Sequence, residues 1–285
     1  MSRDWLIRDY EPSDFSSVVR LLMGAFGSSR PEGVRFSVST ANTTAFVADA
    51  DGSVEGVAMA VAFGRTAWIG SVVVSPGWRR LGVGASLIEH AVQFALLEAD
   101  TVLLLALEPA RRLYERMGFV DDGAYGTWVR PPASQDVIND RSPPQQESDD
   151  TTPGGTFEAC LLLDRLATGE DRRPYLEPIV SVMRVALENS RSGLGQPAGY
   201  AAQLSWGAGP VIARDPAVGA GLIRDILAEN PFARIEFPDA NLAGRALMDE
   251  LGLARDDDDF RMRLGPPVPG FHPEFIYKVL TPAVG

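Results

Sequence analysis

The segment Val72-Val73-Val74-Ser75-Pro76-Gly77-Trp78-Arg79-Arg80-Leu81-Gly82-Val83-Gly84-Ala85-Ser86-Leu87 constrains this chain more than any other stretch. A β-branched run stops at a proline, a turn holding two arginines and two glycines follows, and a helix-forming sequence begins at once. Without Cβ atoms at 82 and 84 the backbone can aim several N–H groups into one concavity, to which the new helix adds the positive end of its dipole. Arg79 and Arg80 bring delocalised charge and forked donors to the same place. The pattern predicts an anion site large enough for a diphosphate.

Three phosphate-binding designs compete for it. A Walker loop requires Gly-Lys-Ser/Thr, but the only lysine is Lys278. A dinucleotide fingerprint requires a third glycine three places after the second, where Leu87 stands. What remains, Arg-x-x-Gly-x-Gly from Arg79 to Gly84, resembles the acetyl-CoA pyrophosphate loop of the GNAT superfamily of N-acetyltransferases. The plainer alternative is an ordinary strand-to-helix turn with solvated arginines. Downstream, Thr101 to Leu107 reads as a buried strand and Pro109 opens a short helix ending Leu113-Tyr114-Glu115-Arg116-Met117-Gly118-Phe119. This Leu-Tyr-x-x-x-Gly-Phe ending is similar to a second signature of that superfamily, whose tyrosine faces the thioester sulfur.

Upstream, Ile7 to Tyr10 reads as a strand, Ser13 as an N-cap, Phe15 to Met23 as a helix, and Ala45–Ala50 with Val54–Gly64 as a hairpin around Asp51-Gly52. The order is that of the superfamily core. The resemblance implies acetyl-CoA as cosubstrate, bound by Val72, Val73, Val74, Arg79, Arg80, Leu81, Gly82, Val83, Gly84, Ala85 and Ser86, with Tyr114 as the acid that protonates the departing thiolate. A backbone N–H near Val74 would hold the oxyanion. Superfamily members often place a glutamate on the strand before the loop as general base, whereas Ile69-Gly70-Ser71 has no carboxylate there; a water chain, an amine that enters already neutral, or a carboxylate from elsewhere, Asp121, Asp122 or Asp239, are the alternatives.

Between about Pro131 and Gly155 the apolar pattern fails in a Pro-, Gln-, Ser- and Asp-rich stretch that cannot bury enough surface to offset its ordering. Residues 133–155 are therefore read as a linker between a first half, 1–132, and a second, 156–285. In the second half, Phe157–Ala167 and Tyr175–Asn189 look like helices. Gly244-Arg245-Ala246-Leu247-Met248-Asp249-Glu250-Leu251-Gly252-Leu253 echoes residues 110–119, so the halves read as two copies of one fold. In the second copy Pro216 runs almost directly into a helix without paired arginines, and Met248 stands in the place of Tyr114. The whole resembles the two-domain, YitH-like branch of the superfamily. The expected fold class is α/β (α+β): tandem GNAT folds, each a mixed, mostly antiparallel sheet flanked by helices. Asp256 to Asp259 reads as a solvated turn, with a site for a cationic substrate as the alternative. Trp68, Trp128, Tyr200 and Trp206 are candidates for an acceptor pocket, each with a core reading beside it.

Composition narrows the partners. With 26 basic and 38 acidic residues the net charge is −12, which repels nucleic acid. No apolar stretch reaches membrane-spanning length and no leader is visible after Met1, so a cytoplasmic protein without a membrane partner is expected. One cysteine, Cys160, and two histidines, His90 and His272, offer no metal set. The expected activity is transfer of an acetyl group to a primary amine of a small molecule or peptide. A non-catalytic acyl-CoA-binding sensor is the alternative; a homodimer is compatible with either.

Overall fold

A computed structural model describes residues 4–27, 30–131, 154–187, 196–207 and 209–281. Nearly all of the expected linker falls outside these residues. The chain opens with β1 (Leu6–Asp9), α1 (Phe15–Phe26) and α2 (Pro31–Ser39), then β2 (Thr43–Ala50), β3 (Ser53–Phe63) and β4 (Thr66–Val74). Asp51 and Gly52, at φ 51° and 84°, make the tight β2–β3 turn with the left-handed backbone such a hairpin needs. After β4 come α3 (Val83–Ala95), β5 (Thr101–Leu107), α4 (Glu108–Arg116) and β6 (Val120–Val129). The second half contributes α5 (Gly154–Thr168), α6 (Arg173–Leu176), β7 (Met183–Leu187), β8 (Pro197–Ala202), β9 (Val211–Ala213), α7 (Pro216–Glu229), β10 (Ile235–Pro238), α8 (Leu242–Glu250), β11 (Ala254–Leu264) and β12 (Ile276–Lys278).

The two copies do not form separate sheets. One eight-stranded sheet runs β1-β2-β3-β4-β5-β11-β6-β10, and a second runs β12-β9-β8-β7. Strand β11 of the second half lies antiparallel between β5 and β6 of the first, while β6 of the first half pairs with β10 of the second. Each half thus lends the strand that follows its short helix to the other. The bond from the Val279 N–H to the Glu236 carbonyl joins β12 to the end of the larger sheet.

Three layers of packing follow. On one face α3 and α4 bury Leu87, Ile88, Tyr114 and Phe119 against Leu104, Ala106 and Met262. On the other, α1 and α2 cover β2 to β4 at one end. Further along that face the second half packs Phe157, Tyr175 and Tyr200 against Phe63, Trp68, Leu103 and Tyr125 of the first. The strand exchange and this mixed core make the halves one cooperative body.

Three expectations change. Ser13 is not the N-cap of the first helix: it lies inside a 3-10 turn, Pro12–Asp14, where Glu11 and Asp14 cap each other, and Asp14 precedes α1. Residues 175–189 are not one helix: a 3-10 turn spans Glu177–Val182 and β7 follows, because Pro178 breaks the helix and Val180, Val182 and Val185 favour extended backbone. Asp256–Asp259 is not a turn but part of β11, where Arg234 pairs with Asp256 and Asp257, and Arg255 with Asp258. Aspartate is a poor strand former alone, and the ladder on both sides overrides that preference.

Interleaving predicts how the chain can be divided. Residues 1–132 made alone lack the strand that separates β5 from β6 and should be recovered aggregated or without a cooperative melt; co-production with 154–285 should restore it. Met262 is fully buried on β11 against first-half side chains, so Met262→Ala should cost about 2–5 kcal/mol by chemical denaturation.

Candidate active site

Strand β4 pairs in parallel with β5 only through Thr66, Ala67 and Trp68, opposite Thr101, Val102 and Leu103. Beyond Trp68 the strands part, and Ile69–Val74 faces Leu104–Leu107 across an open fork. The cause is local: Met59 pairs with Gly70 and Val57 with Val73, so Ser71 and Val72 together oppose Ala58. Such a bulge bends its strand. Ser71 takes φ 54°, a left-handed backbone costing a non-glycine residue on the order of 1 kcal/mol. Past the bulge Val72 and Val74 pack toward α3 and Val73 toward α1. Backbone groups of β4 on the fork side have lost their ladder partners and can bind an extended amide-bearing chain.

At the top of the fork the loop turns into α3. Arg80 at φ 62° and Gly82 at φ 97° carry the chain through the turn, and Gly82 is the N-cap with no side-chain cap. The first helical bond runs from the Ser86 N–H to Gly82, leaving the N–H groups of Val83, Gly84 and Ala85 without acceptors among the described residues. Three free donors and a helix dipole converge where the sequence places a diphosphate. The Val83 side chain is buried, so this residue offers only its backbone, while Leu81 is exposed. Arg79 turns back to donate from Nε to the Val74 carbonyl at 3.0 Å, which ties the loop to the strand end. A groove of about 310 Å³ lined by Arg20, Leu21, Glu55, Ser75 and Arg79 borders this loop on the α1 side.

Tyr114 lies on α4 with its ring edge-on to Phe119, 5.8 Å between centroids, on the α3 face of the sheet. Burial pushes its hydroxyl up to about 12, so it keeps its proton at neutral pH. The second half clamps the base of the fork from the opposite face. Glu170 accepts from Thr66 Oγ1 at 2.8 Å and from Trp68 Nε1 at 2.7 Å, fixing the last paired rung of β4. Beside it the buried Arg172 and Asp164 pair at 2.5 Å, with Tyr200 donating to Asp164. Arg261, only 2 % exposed, pairs with Asp122 and lies over the rings of Phe271 and Trp68; its Nε and Nη2 have no hydrogen-bond partner among the described residues.

The second half repeats the frame without the site. Strand β12 pairs with β9 and is hydrogen-bonded to β10, filling the gap that is open in the first copy. The Asp215 carboxylate caps α7 by accepting from the Ala217 N–H at 2.7 Å, so an internal anion already occupies that helix end. Buried here are Glu236, with one oxygen unpaired and its carboxyl pushed up to about 8 by desolvation, and Lys278, which burial lowers to about 8 and which donates to the Gly209 carbonyl at 2.7 Å.

Of the aromatic residues singled out, Trp68 touches the fork, Trp206 packs beside Phe36, and Trp128 and Tyr200 are core, Trp128 stacked on Phe237. The three candidate bases are all engaged: Asp121 with Arg111, Asp122 with Arg261 and Arg263, Asp239 with Arg255. No group of metal-ligating side chains occurs among the described residues, and no helix among them is long and apolar enough to cross a membrane. Glu170 was not visible from the sequence, since no motif marks a carboxylate that acts through a strand of the other half.

Comparison with known proteins agrees with this frame. Residues 41–121 and 160–277 each match a family model described as an acetyltransferase (GNAT) domain. The chain belongs to the GNAT acetyltransferases: it is a two-domain acyltransferase whose cosubstrate is acetyl-CoA. It is 26% identical over 205 residues to the uncharacterized N-acetyltransferase YitH of Bacillus subtilis, covering 69% of each chain. A candidate acetyltransferase of Pyrococcus horikoshii superposes with a TM-score of 0.79 at 19% identity, over 100% of this chain and 97% of that one. A GCN5-related N-acetyltransferase of Sphaerobacter thermophilus gives 0.62 at 18% identity, over 91% and 95%. These two likenesses are of fold.

The buried Glu236 makes stability depend on pH. In the fold it holds its proton to about pH 8, against an ordinary value of 4.5, so the folded state binds more protons over that interval and stability falls as pH rises through it. Lys278 acts with the opposite sign, and only above about pH 8. Between pH 6 and 8 the Tm should fall by roughly 5–10 °C, and Glu236→Gln should flatten the decline in calorimetric scans.

Proposed function

We propose that the first half transfers the acetyl group of acetyl-CoA to a primary amine of a small molecule or peptide, by direct attack within a ternary complex at the β4–β5 fork. The observation that carries this reading is the fork itself, open from Trp68 to Val74 and topped by the uncapped end of α3. The diphosphate takes the N–H groups of Val83, Gly84 and Ala85 with Arg79 and Arg80. The extended arm of the cosubstrate takes the unpaired edge of Val72, Val73 and Val74. Leu81, Gly82 and Ser86 complete the turn around it. An N–H near Val74 polarises the thioester carbonyl and holds the oxyanion.

Proton transfers divide between the faces of the sheet. Tyr114, on the α3 face and protonated at neutral pH, gives its proton to the departing thiolate. The attacking amine must be neutral, and one with a pKa near 10.4 is so in about one molecule in 2,500 at pH 7, a cost of roughly 4–5 kcal/mol. Positioning two reactants in one cleft can supply on the order of 7–11 kcal/mol. Because Ile69-Gly70-Ser71 brings no carboxylate into the fork, an acyl-CoA-binding sensor is the second reading, and thiol release in the presence of amines decides between them.

Replacing Arg79 and Arg80 together by alanine should weaken CoA binding roughly 10- to 100-fold by calorimetry, the loss of charge-assisted bonds to phosphate. Tyr114→Phe should lower kcat about 10- to 100-fold and leave the CoA affinity unchanged. Wild-type affinity in the arginine variant would remove the loop from the site.

A further inference from the structure

The fork lacks a base on its own strands, and one strand further along the sheet, beyond β5, the face turned to the second half carries a carboxylate from that half on β11. On β11 the register with β5 is unbroken, Asp259 opposite Leu107, Arg261 opposite Leu105 and Arg263 opposite Leu103. Alternation puts these three on one face. That face is the one turned to the second half, because Arg261 lies over Trp68 and Phe271 and Asp259 pairs in register with the buried Tyr125. Leu103 is the last rung paired to β4, so Asp259 stands four residues, about 13 Å, further up the strand direction. Four rungs up β4 from Trp68, allowing for the extra residue of the Ser71–Val72 bulge, reach Val73, so along the strand direction the carboxylate is level with the stretch to which the thioester is assigned.

Its surroundings set it apart from the other acids. Asp121, Asp122 and Asp239 are each held by arginine, and Asp256, Asp257 and Asp258 by Arg234 and Arg255. Asp259 is half-buried, and its carboxylate forms no hydrogen bond or ion pair with the described residues. The structure assigns Asp259 as the general base that removes a proton from the acceptor ammonium at the first-half fork, an assignment that rests on the acetyl-transfer reading above. The base thus belongs to the second half and reaches the site only through the exchanged strand.

In the step, the ammonium gives one proton to the Asp259 carboxylate, the freed nitrogen lone pair forms the N–C bond, and the C–S bond breaks with its electrons leaving on sulfur. Tyr114 protonates that thiolate from the other face, and the second proton of the amide nitrogen passes through water to restore the Tyr114 hydroxyl. Desolvation, with Asp257 and Asp258 on its own strand, raises the Asp259 carboxyl to about 6, and Arg234 opposes the rise. The other charged groups around it are Glu236 on β10, which it in turn raises, and Arg261 two residues along, held by Asp122. A base near 6 is ionised at neutral pH and close enough to it to exchange protons readily.

The test uses the full chain, acetyl-CoA and two small nucleophiles followed by thiol release: propylamine, protonated at pH 7, and hydroxylamine, already neutral. Asp259→Asn should lower turnover with propylamine about 100-fold or more and remove the acid limb near pH 6 from its pH profile, with the hydroxylamine rate, Tm and CoA affinity unchanged. Asp259→Glu should restore part of the propylamine rate. Equal losses with both nucleophiles, or no loss with either, would overturn the assignment while leaving acetyl transfer standing. Failure of the wild-type chain to bind CoA or acetylate either nucleophile would instead remove the transfer reading, and the base with it.

Discussion

The insertion of β11 between β5 and β6 holds this molecule together. A strand in the middle of a sheet must satisfy its backbone on both edges, and β11 does so entirely with the first-half strands β5 and β6. Its Met262 fills the α3-side core and its Arg261 the core between the halves. In return β6 becomes the strand on which β10 pairs. Neither copy of the fold is complete without the other, which gives a physical reason for a second half that keeps the frame and has no open cleft.

That arrangement also explains the asymmetry of the copies. In the first, a bulge at Ser71–Val72 steers β4 away from β5 and leaves hydrogen-bonding capacity exposed at the helix end above it. In the second, β12 occupies the corresponding gap and Asp215 satisfies the helix end. One copy is open to a ligand and the other is closed by its own chain. The Glu170 clamp on Thr66 and Trp68 then uses the closed copy to hold the open one at the point where its strands diverge.

Much of the frame was legible in the sequence. Val72–Ser86 announced a strand, a glycine-bearing turn and a helix, because a β-branched run, proline, glycine and a helix-forming stretch follow one another there. The β5 run Thr101–Leu107 and the Asp51-Gly52 hairpin were equally plain, the first by continuous apolarity and the second by turn chemistry. Met248 in place of Tyr114, and Pro216 running into helix, marked the second copy as divergent. Less legible were segments whose neighbours overrule their own preferences: Asp256–Asp259 reads as solvent-loving in isolation, and residues 175–189 carry a helical pattern that Pro178 interrupts.

The sequence by itself determined the strand, the glycine-bearing turn with its paired arginines and the helix that follows, and that one of two repeats lacks that turn, since local chemistry and spacing suffice for both. Tertiary structure alone decided that the repeats trade strands, that β4 and β5 separate after Trp68, and that Asp259 comes level with that opening. The strand exchange and the placing of Asp259 depend on pairings between residues more than a hundred positions apart, and the fork on where the β4–β5 ladder stops. No local pattern encodes them, because a strand's partner is selected by register and burial across the whole sheet.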